Sequence, residues 1–402
     1  MKFWDVDIKP KGFDFYAEKK ALIENLDTLA AMSVEEQTLY KKWVELQDPD
    51  IIKNKSTIAR YYDIQWSPTD IFDYDKTINE INNLDPYVEI VSDNDSTKWS
   101  YIRRMIHTMS WTPNPGRNVK INIKDRASGK LLGQASLASD VTSLAVRDKY
   151  IGWDKVNKFQ DGKLNNTSIA STIVCTQPLG YNFLGGKLIA MMITTSTIRD
   201  YWKSNYGQTL IAIGTTSLYG IHSQYNGIPH YKTLGESSGK ISIKPDDEFY
   251  EPWHQWLKEN KEDWYKTHIT EEHARNGMNM GVGRNGPVSG IKQKILHKIF
   301  QECGIKSSKY QHGFARGVYL AMIYENGSEF LRNEIPESNL IMKTKFEQDV
   351  DYITKWWKSK AIKRYTKLYN EKRLKPGHLY YIDAIGIDWE TMKQKYLNEV
   401  GR

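Results

Sequence analysis

The stretch from Thr167 to Gly239 constrains the fold of this chain more than any other part of its sequence. A β-branched run, TSIASTIVC, ends at a glycine-rich turn, and a helical pattern follows from about Leu184 to Asn205. The short apolar run Thr209 to Gly214 comes next. A strand, a crossover helix and a second strand normally close right-handed onto one sheet, so the two strands are predicted to be adjacent and parallel.

The turn between the first strand and the helix is a candidate site for an anionic cofactor. Glycines let backbone amides approach a phosphate closely, and a helix N-terminus adds the favourable end of its dipole. The same glycines would also permit tight packing of the helix on the sheet, so both interpretations stay open. Neither the dinucleotide-binding pattern nor the P-loop pattern is matched. The candidate cofactor-binding residues are Gln177, Gly180, Asn182, Gly185 and Gly186.

The segment after the second strand carries side chains suited to acid–base chemistry. Tyr219 and Tyr225 could protonate a leaving group, and His222 between them could act as a base. A loop tyrosine that only packs, or a histidine in an ordinary surface position, explains the same residues. Upstream, Asp148 is a further catalytic candidate and Arg147 a candidate contact to substrate or nucleic acid, with an ordinary ion pair as the alternative.

Hydrophobic periodicity and composition divide the sequence into four regions. They are a helical region at 1–83, a sheet-containing core at 84–245, segments added to that core at 246–342, and a basic, aromatic helical region at 343–402. In the core, Tyr87 to Val91 is predicted as a strand, and Val119 to Lys124 with Lys130 to Ala138 as an antiparallel hairpin. The additions are predicted to comprise helices, a glycine-rich loop at Ala274 to Gly290 and a hairpin that starts at Val318 and completes the sheet.

Positive charge is concentrated near the C-terminus. The segment from Lys343 to Lys375 contains 11 Lys or Arg and 4 Asp or Glu, an excess equal to the net charge of +7 of the whole chain. Basic residues interleaved with aromatic ones suit a polyanion whose bases can stack, although an amphipathic helix with a solvated basic face explains the pattern too. The candidate nucleic-acid contacts here are Lys358, Lys363 and Arg364, and the glycine-rich loop adds Arg275 and Arg284.

Composition bears on the classes of protein that remain. No apolar run approaches the roughly 20 residues of a membrane helix, and no signal-peptide pattern opens the chain, so a cytoplasmic protein without membrane partners is expected, in the host cytoplasm if a phage encodes it. Cys175 and Cys303 alone cannot build a disulfide framework or a cysteine-rich zinc site, and no metal is expected.

The order of these elements resembles the GNAT acyltransferase superfamily. That superfamily's cofactor motif is Gln or Arg, two residues, Gly, one residue, then Gly or Ala. Gln177 and Gly180 match the motif, whereas Asn182 departs from it at the last position. The resemblance implies an acyl-CoA cofactor, for which Gly185 and Gly186 could form a shifted cradle.

Three short blocks stand out in the core: LAVRDKYIGW at 144–153, LYGIHSQYN at 218–226 and LGESSG at 234–239. They resemble the DruA family, named for a component of the Druantia anti-phage system, and more distantly the phage Mom proteins that modify adenine in DNA. The resemblance covers about Asp85 to Gly239. It implies a GNAT-like fold and a role in the conflict between phage and bacterium, and so partner proteins of a defence or phage system are expected. DNA is expected as a partner because the excess positive charge lies outside the core.

The expected fold class is therefore α/β (α+β), with a GNAT-like central mixed sheet, flanking helices and helical additions at both termini. Two functions follow from the resemblance and the charge distribution. One is the transfer of an acyl-type group to a nucleobase amine, and the alternative is a non-catalytic protein that binds nucleic acid or serves as a phage structural or interaction component.

Overall fold

A computed structural model describes residues 12–110, 116–177, 179–217, 223–237, 241–279, 291–312, 316–375 and 381–400. The chain forms two compact units, one of Met1–Gln37 with Gly239–Ala315 and one of Thr38–Ser238 with Arg316–Arg402. These boundaries differ from the four consecutive regions predicted from the sequence, because distant segments of the chain combine in each unit. No helix in the described part of the chain is long and apolar enough to cross a membrane.

The strands are β1 Pro86–Ile90, β2 Asn118–Asp125, β3 Leu131–Ser139, β4 Thr167–Cys175, β5 Ala212–Thr216, β6 Lys232–Glu236, β7 Ile241–Ser242, β8 Gln311–His312 and β9 Gly317–Met322. The α-helices are α1 Phe15–Ala31, α2 Val34–Leu46, α3 Pro49–Lys53, α4 Lys55–Ala59, α5 Tyr74–Asn83, α6 Ser96–Ile106, α7 Ala145–Ile151, α8 Leu179–Phe183, α9 Gly185–Met192, α10 Ser196–Tyr206, α11 Asp247–Asn260, α12 Glu262–Tyr265, α13 Glu272–Asn279, α14 Ile291–Glu302, α15 Gly327–Leu331, α16 Thr344–Glu347, α17 Asp349–Asn370 and α18 Trp389–Val400.

The larger unit is built on a mixed sheet in the order β1-β2-β3-β4-β5-β9-β6. The predicted hairpin is confirmed, since β2 and β3 pair antiparallel and β2 buries alternate residues. Gly133 of β3 lies against Ile189 of α9, and the next residue, Gln134, donates from Nε2 to the carbonyl of Trp99 in α6. Successive residues of a strand face opposite sides, so α6 and α9 cover opposite faces of the sheet. The predicted α/β class is confirmed.

The predicted parallel pairing of β4 and β5 is also confirmed, but it is short. The ladder runs from Thr167 opposite Ala212 to Ile169 opposite Gly214. Beyond it, β4 continues beside β3 to Cys175, and β5 continues beside β9. The two parallel strands therefore separate toward their carboxyl ends, next to the glycine turn.

The single long helix predicted after the turn is wrong. The chain forms α8, α9 and α10 instead, and the break between the last two lies at Thr194 and Thr195. Their hydroxyls donate to the carbonyls of Met191 and Met192, each at 2.7 Å. Threonine hydroxyls can bond the local backbone in this way and compete with helix continuation.

The predicted sheet-completing strand is confirmed as β9, which lies between β5 and β6. The hairpin predicted to follow it is wrong, because Gly327–Leu331 forms α15 rather than a returning strand. The edge strand β6 had no sequence signal, since its residues are mostly polar and only partly covered.

The predicted apolar stripe of the C-terminal basic helix is confirmed in α17. Its buried residues are Ile353, Trp357, Ala361, Tyr365 and Leu368. The helix packs on α5, α8 and α9, so its basic residues are displaced to the remaining face.

In the smaller unit, α1 packs on α11, and α11 packs on α14. Strands β7 and β8 form a separate two-stranded sheet. The predicted glycine-rich loop is partly wrong, because its first residues continue the helix α13 to Asn279. The remainder of that predicted loop lies outside the described residues.

Candidate functional site

The glycine turn at the end of β4 is a compact helical step. The amide of Gly180 donates to the carbonyl of Thr176 at 2.9 Å, and the amide of Tyr181 donates to Oε1 of Gln177 at 3.3 Å. Leu184 takes a left-handed conformation with φ 55° and joins α8 to α9. The glycine-rich turn predicted from the sequence therefore contains a short helix, α8.

The paired glycines permit close packing at the start of α9. A Cβ on Gly185 would lie 2.9 Å from Cγ and 3.0 Å from the carbonyl oxygen of Leu179. A Cβ on Gly186 would lie 1.9 Å from Oε1 of Gln224. Both glycines therefore have a packing role, whatever else this turn binds.

Asn182 fills the position where the acyltransferase motif has Gly or Ala. Its side chain is fully buried. Nδ2 donates to the carbonyl of Lys375 at 2.7 Å, and Oδ1 accepts from the amide of Lys375 at 3.0 Å. The residue that breaks the motif fastens the turn to the segment that follows α17.

The Tyr-bearing segment after β5 does reach the glycine turn. Nζ of Lys187 in α9 donates to the carbonyls of Gln224, at 2.9 Å, and Asn226. Burial lowers the pKa of this lysine from its usual value. The predicted cofactor and catalytic segments are therefore neighbours, as their order along the chain suggested.

Tyr225 is the described member of the predicted catalytic tyrosines and histidine. It is 7% exposed, and its ring lies 5.2 Å from that of Tyr319 on β9. Its hydroxyl accepts from Nε2 of Gln224 at 3.2 Å. Packing accounts for its position, and Tyr219 and His222 lie outside the described residues.

Arg147 and Asp148 belong to a buried charge network. The Arg147 guanidinium is fully buried and pairs with Asp140 at 2.6 Å and Asp148 at 2.7 Å. Asp148 also pairs with Lys158 at 2.5 Å, and the guanidinium lies 5.2 Å from the ring centroid of Trp153. This corrects the expectation for Arg147, because a buried and paired guanidinium presents no surface to a phosphate. The site instead shows the ion pair that the sequence left as the alternative.

A basic surface forms where α8 meets α17; we define it by Tyr181, Lys363, Arg364 and Lys375. The guanidinium of Arg364 lies 5.2 Å from the Tyr181 ring centroid, and Nζ of Lys375 lies 4.8 Å from it. Nε of Arg364 also donates to the carbonyl of Tyr181 at 3.4 Å. Lys363 beside them is exposed. The Tyr181 ring therefore contacts two cations, Arg364 and Lys375, and Lys363 is a third cation beside them.

The other predicted basic contacts lie elsewhere. Lys358 is half-buried and donates from Nζ to the carbonyl of Asn82 at 2.7 Å. Burial, its largest influence, lowers the pKa of Lys358. Arg275 is exposed on α13 in the smaller unit, and Arg284 lies outside the described residues.

Sequence reasoning assigned the glycine turn and the basic helix to separate roles and overlooked Tyr181 and Lys375. The structure joins the two regions, because Trp357 of α17 donates from Nε1 to the carbonyl of Phe183 at 2.9 Å. The sequence does show an aromatic residue, Tyr181, between Gly180 and Gly185. No local periodicity, however, links this residue to the C-terminal basic segment.

Comparisons with known proteins bear directly on the blocks at 144–153, 218–226 and 234–239. A family model described as Druantia protein DruA matches residues 39–333. The Druantia protein DruA of Escherichia coli (strain UMEA 4076-1) is 28% identical over 243 residues, which are 56% of this chain and 55% of that protein. The chain thus spans about half the length of this curated relative. No solved structure matches.

The family match extends on both sides of the region where the sequence showed the resemblance. It includes Tyr181 and the buried network around Arg147, whereas α17 lies beyond its end. A match over more than half of the chain confirms the predicted family: the chain belongs to the DruA family.

Proposed function

We propose that this protein acts in anti-phage defence by binding DNA through the basic surface of Tyr181, Lys363, Arg364 and Lys375. Family membership supports the defence role, since the relative is named as the Druantia protein DruA. Because the chain spans about half of that relative, its activity and its partner proteins within a defence system belong to the proposal.

The main support for DNA binding is the arrangement of two cations around one partly buried tyrosine, Tyr181. Arg364 and Lys375 lie 5.2 and 4.8 Å from the Tyr181 ring centroid. Contact with an aromatic face orients a cation without neutralising its charge. Oriented cations with exposed neighbours suit the phosphates of a nucleic acid, whose binding releases condensed counterions.

Hydrogen bonds and ring packing hold the main chain beside these cations. Asn182 holds the main chain of Lys375 through two hydrogen bonds, and Tyr365 buries its ring against Phe183 at 5.2 Å. Lys363 extends the charge along the exposed face of α17. Side chains fixed by their own packing lose less freedom on binding than mobile ones do.

The test measures DNA binding at a series of salt concentrations. Fluorescence anisotropy of a labelled duplex and of a labelled single strand reports the binding. The triple variant Lys363→Gln, Arg364→Gln, Lys375→Gln should bind more weakly and make the slope of log K against log salt shallower by about 2 to 3. The matched control is Lys53→Gln, Arg60→Gln, Lys76→Gln, which removes two lysines and one arginine exposed elsewhere on the same unit. Equal binding by the two triple variants would contradict the proposal.

A second candidate function is transfer of an acyl-type group to a nucleobase amine. The separation of β4 and β5 at their carboxyl ends supports it, because ligands of open α/β sheets bind in crevices at such ends. In this function acyl-CoA would lie against the turn from Gln177 to Gly186, with Tyr225, Tyr219, His222 and Asp148 as candidates for catalysis or positioning.

Two measurements test this second function separately from DNA binding. Calorimetric titration with acetyl-CoA should give saturable heat, and mass spectrometry of nucleosides from expressing cells should find a modified base. A Gln177→Ala variant should weaken acetyl-CoA binding while the salt slope for DNA stays unchanged. Absence of both cofactor binding and modified nucleosides would contradict the acyl-transfer function alone.

A further inference from the structure

A cavity of about 670 Å³ in the larger unit shares no residue with the basic surface and has no role in the proposed function. Its lining comes from three segments: 62–69 after α4, 80–84 at the end of α5, and 125–130 at the turn from β2 to β3. Ligand sites in proteins commonly have volumes of about 300 to 1,000 Å³. The cavity is therefore large enough to hold a ligand.

Hydrogen bonds of the main chain join these segments. The amide of Trp66 donates to the carbonyl of Leu131, at the start of β3, at 2.9 Å. The amide of Arg126 donates to the carbonyl of Asp85, just beyond the end of α5, at 2.8 Å. Oδ1 of Asp125 accepts in turn from the amide of Asp85 at 2.8 Å. Because these bonds tie the walls to the sheet, the cavity is part of the fold and not a gap between surface loops.

The side chains that line the cavity carry an excess of negative charge. Asp63, Glu80 and Asp125 contribute three carboxylates and Lys130 one ammonium, which leaves two negative charges. Nζ of Lys130 donates to the main-chain carbonyl of Asp63. Lys358 of α17 also interacts with the charge of Asp125, and counting it still leaves an excess of one negative charge. The cavity therefore favours a cation over a phosphate.

Two hydroxyls of the wall already donate to its carboxylates. The hydroxyl of Thr69 donates to Oε1 of Glu80 at 2.5 Å, and the amide of Thr69 donates to Oε2 at 3.0 Å. The hydroxyl and the amide of Ser128 donate to Oδ2 of Asp125 at 2.5 and 2.8 Å. A carboxylate accepts several hydrogen bonds and donates none. These groups therefore offer acceptors to a ligand, and a ligand rich in N–H donors matches them.

Gln65 adds an amide whose hydrogen bonds are unmet. This residue lines the cavity and is 7% exposed. Among the described residues, neither Oε1 nor Nε2 of Gln65 has a hydrogen-bond partner, and both atoms are shielded from water. A buried polar group without a partner is destabilising, and the flexible side chain of glutamine can turn its amide toward an occupant of the cavity. One acceptor beside one donor matches the N–H and C=O groups of a peptide main chain.

We propose that the cavity binds an arginine within a basic segment of a partner protein. The guanidinium has five N–H donors in one plane, and it forms paired hydrogen bonds with carboxylates such as those of Asp63 and Glu80. Asp125, which is 2% exposed, adds a buried negative charge. The indole of Trp66 lines the cavity and provides an aromatic surface of the kind on which a guanidinium stacks. Gln65 pairs with the main chain of the segment.

The experiment uses the full chain and calorimetric titration with N-acetylated tetra-arginine amide at physiological ionic strength. We expect saturable binding, and none with the tetra-citrulline peptide, in which neutral ureas replace the guanidinium groups. The double variant Asp63→Asn, Glu80→Gln should weaken binding at least about tenfold, because two carboxylates that pair with the ligand are lost. The matched control Asp351→Asn, Glu390→Gln removes the same charge at exposed positions of the same unit and should change the affinity less than about twofold.

Carboxylate labelling of the unsubstituted protein covers the case in which a variant does not fold. Tetra-arginine should slow the carbodiimide coupling of glycinamide to Asp63 and Glu80 and leave the coupling to Asp351 and Glu390 unchanged. Unchanged coupling at all four positions, equal binding of the arginine and citrulline peptides, or equal losses in the two double variants would overturn the proposal.

A further pair of probes separates a protein segment from a small cation as the ligand. A blocked Gly-Gly-Arg-Gly-Gly peptide should bind more tightly than N-acetylarginine amide, which carries the same charge but little main chain. Equal affinities would overturn the assignment to a protein segment. The triple variant Lys363→Gln, Arg364→Gln, Lys375→Gln keeps every residue that lines the cavity and should still bind tetra-arginine. Failure of DNA binding and failure of peptide binding are therefore distinguishable.

Discussion

Asn182 and Lys375 are joined by two hydrogen bonds between the amide of the first and the main chain of the second, at 2.7 and 3.0 Å. They are 193 residues apart in the sequence. The bonds connect the turn after β4 to the segment after α17, and so set the position of Lys375 beside Tyr181. One buried side-chain amide therefore couples the turn after β4 to the segment that follows the basic helix α17.

Replacing Asn182 with alanine is expected to lower the free energy of unfolding by about 1 to 2 kcal/mol. Two hydrogen bonds to the main chain of Lys375 are lost, and water can replace them only where that main chain is exposed. The folded variant should also bind DNA several-fold more weakly. Chemical denaturation and the anisotropy titration measure the two effects. Asn94→Ala, at an exposed position, is the control and should change neither quantity.

Gly185 and Gly186 should respond differently to alanine. Gly186→Ala meets the flexible end of Gln224, so the double variant with Gln224→Ala should return to within about 1 kcal/mol of the parent stability. Gly185→Ala meets the main-chain carbonyl of Leu179, and Gln224→Ala should not rescue it. Thermal unfolding of the four variants checks this, and equal rescue at both positions would show that the contact with Gln224 is not what requires Gly186.

Local patterns predicted much of the sheet. β2 buries Val119, Ile121 and Ile123 in strict alternation, which is a period that a single segment displays by itself. β6 shows no such period, because this edge strand is specified by its pairing with β9, a segment far along the chain. The break after α9 was hidden because the apolar spacing continues through Thr194 and Thr195.

The candidate site was only partly predictable for the same reason. The glycine turn and the basic helix each have a local signature, but their meeting depends on packing between residues such as Phe183 and Trp357. Arg147 was a candidate contact to substrate or nucleic acid, with an ion pair as the alternative, and the choice between them depends on Asp140, which is supplied by the neighbouring loop. A sequence records which cations are present and leaves to tertiary structure which of them are neutralised.

The buried pair of Arg147 and Asp140 leads to a prediction about stability. Arg147→Met leaves the Asp140 carboxylate buried without its cation and should lower the free energy of unfolding by about 3 to 5 kcal/mol. Adding Asp140→Asn removes the stranded charge and keeps the acceptor for the hydroxyl of Thr167, so the double variant should recover part of the loss. Denaturant titration measures the cycle. The DNA affinity of the folded variants should equal that of the parent. A lower affinity of the folded Arg147→Met protein would indicate instead that Arg147 contacts DNA.

His230 leads to a prediction about acid stability. It is 2% exposed, with the ring of Phe346 at 4.7 Å, and burial lowers its pKa from 6.5 to about 4. Between these values the unfolded chain binds a proton that the folded protein does not, so acidification through this window favours unfolding. From pH 7 to pH 4.5 the residue should remove about 2 to 3 kcal/mol of stability. The unfolding free energy of His230→Phe should therefore fall less than that of the parent between pH 7 and pH 4.5, by about 2 to 3 kcal/mol. From pH 7 to pH 8.5 the unfolding free energies of the two proteins should change in parallel. Parallel profiles below pH 6 as well would mean that the pKa of the His230 imidazole is the same in the folded and the unfolded protein.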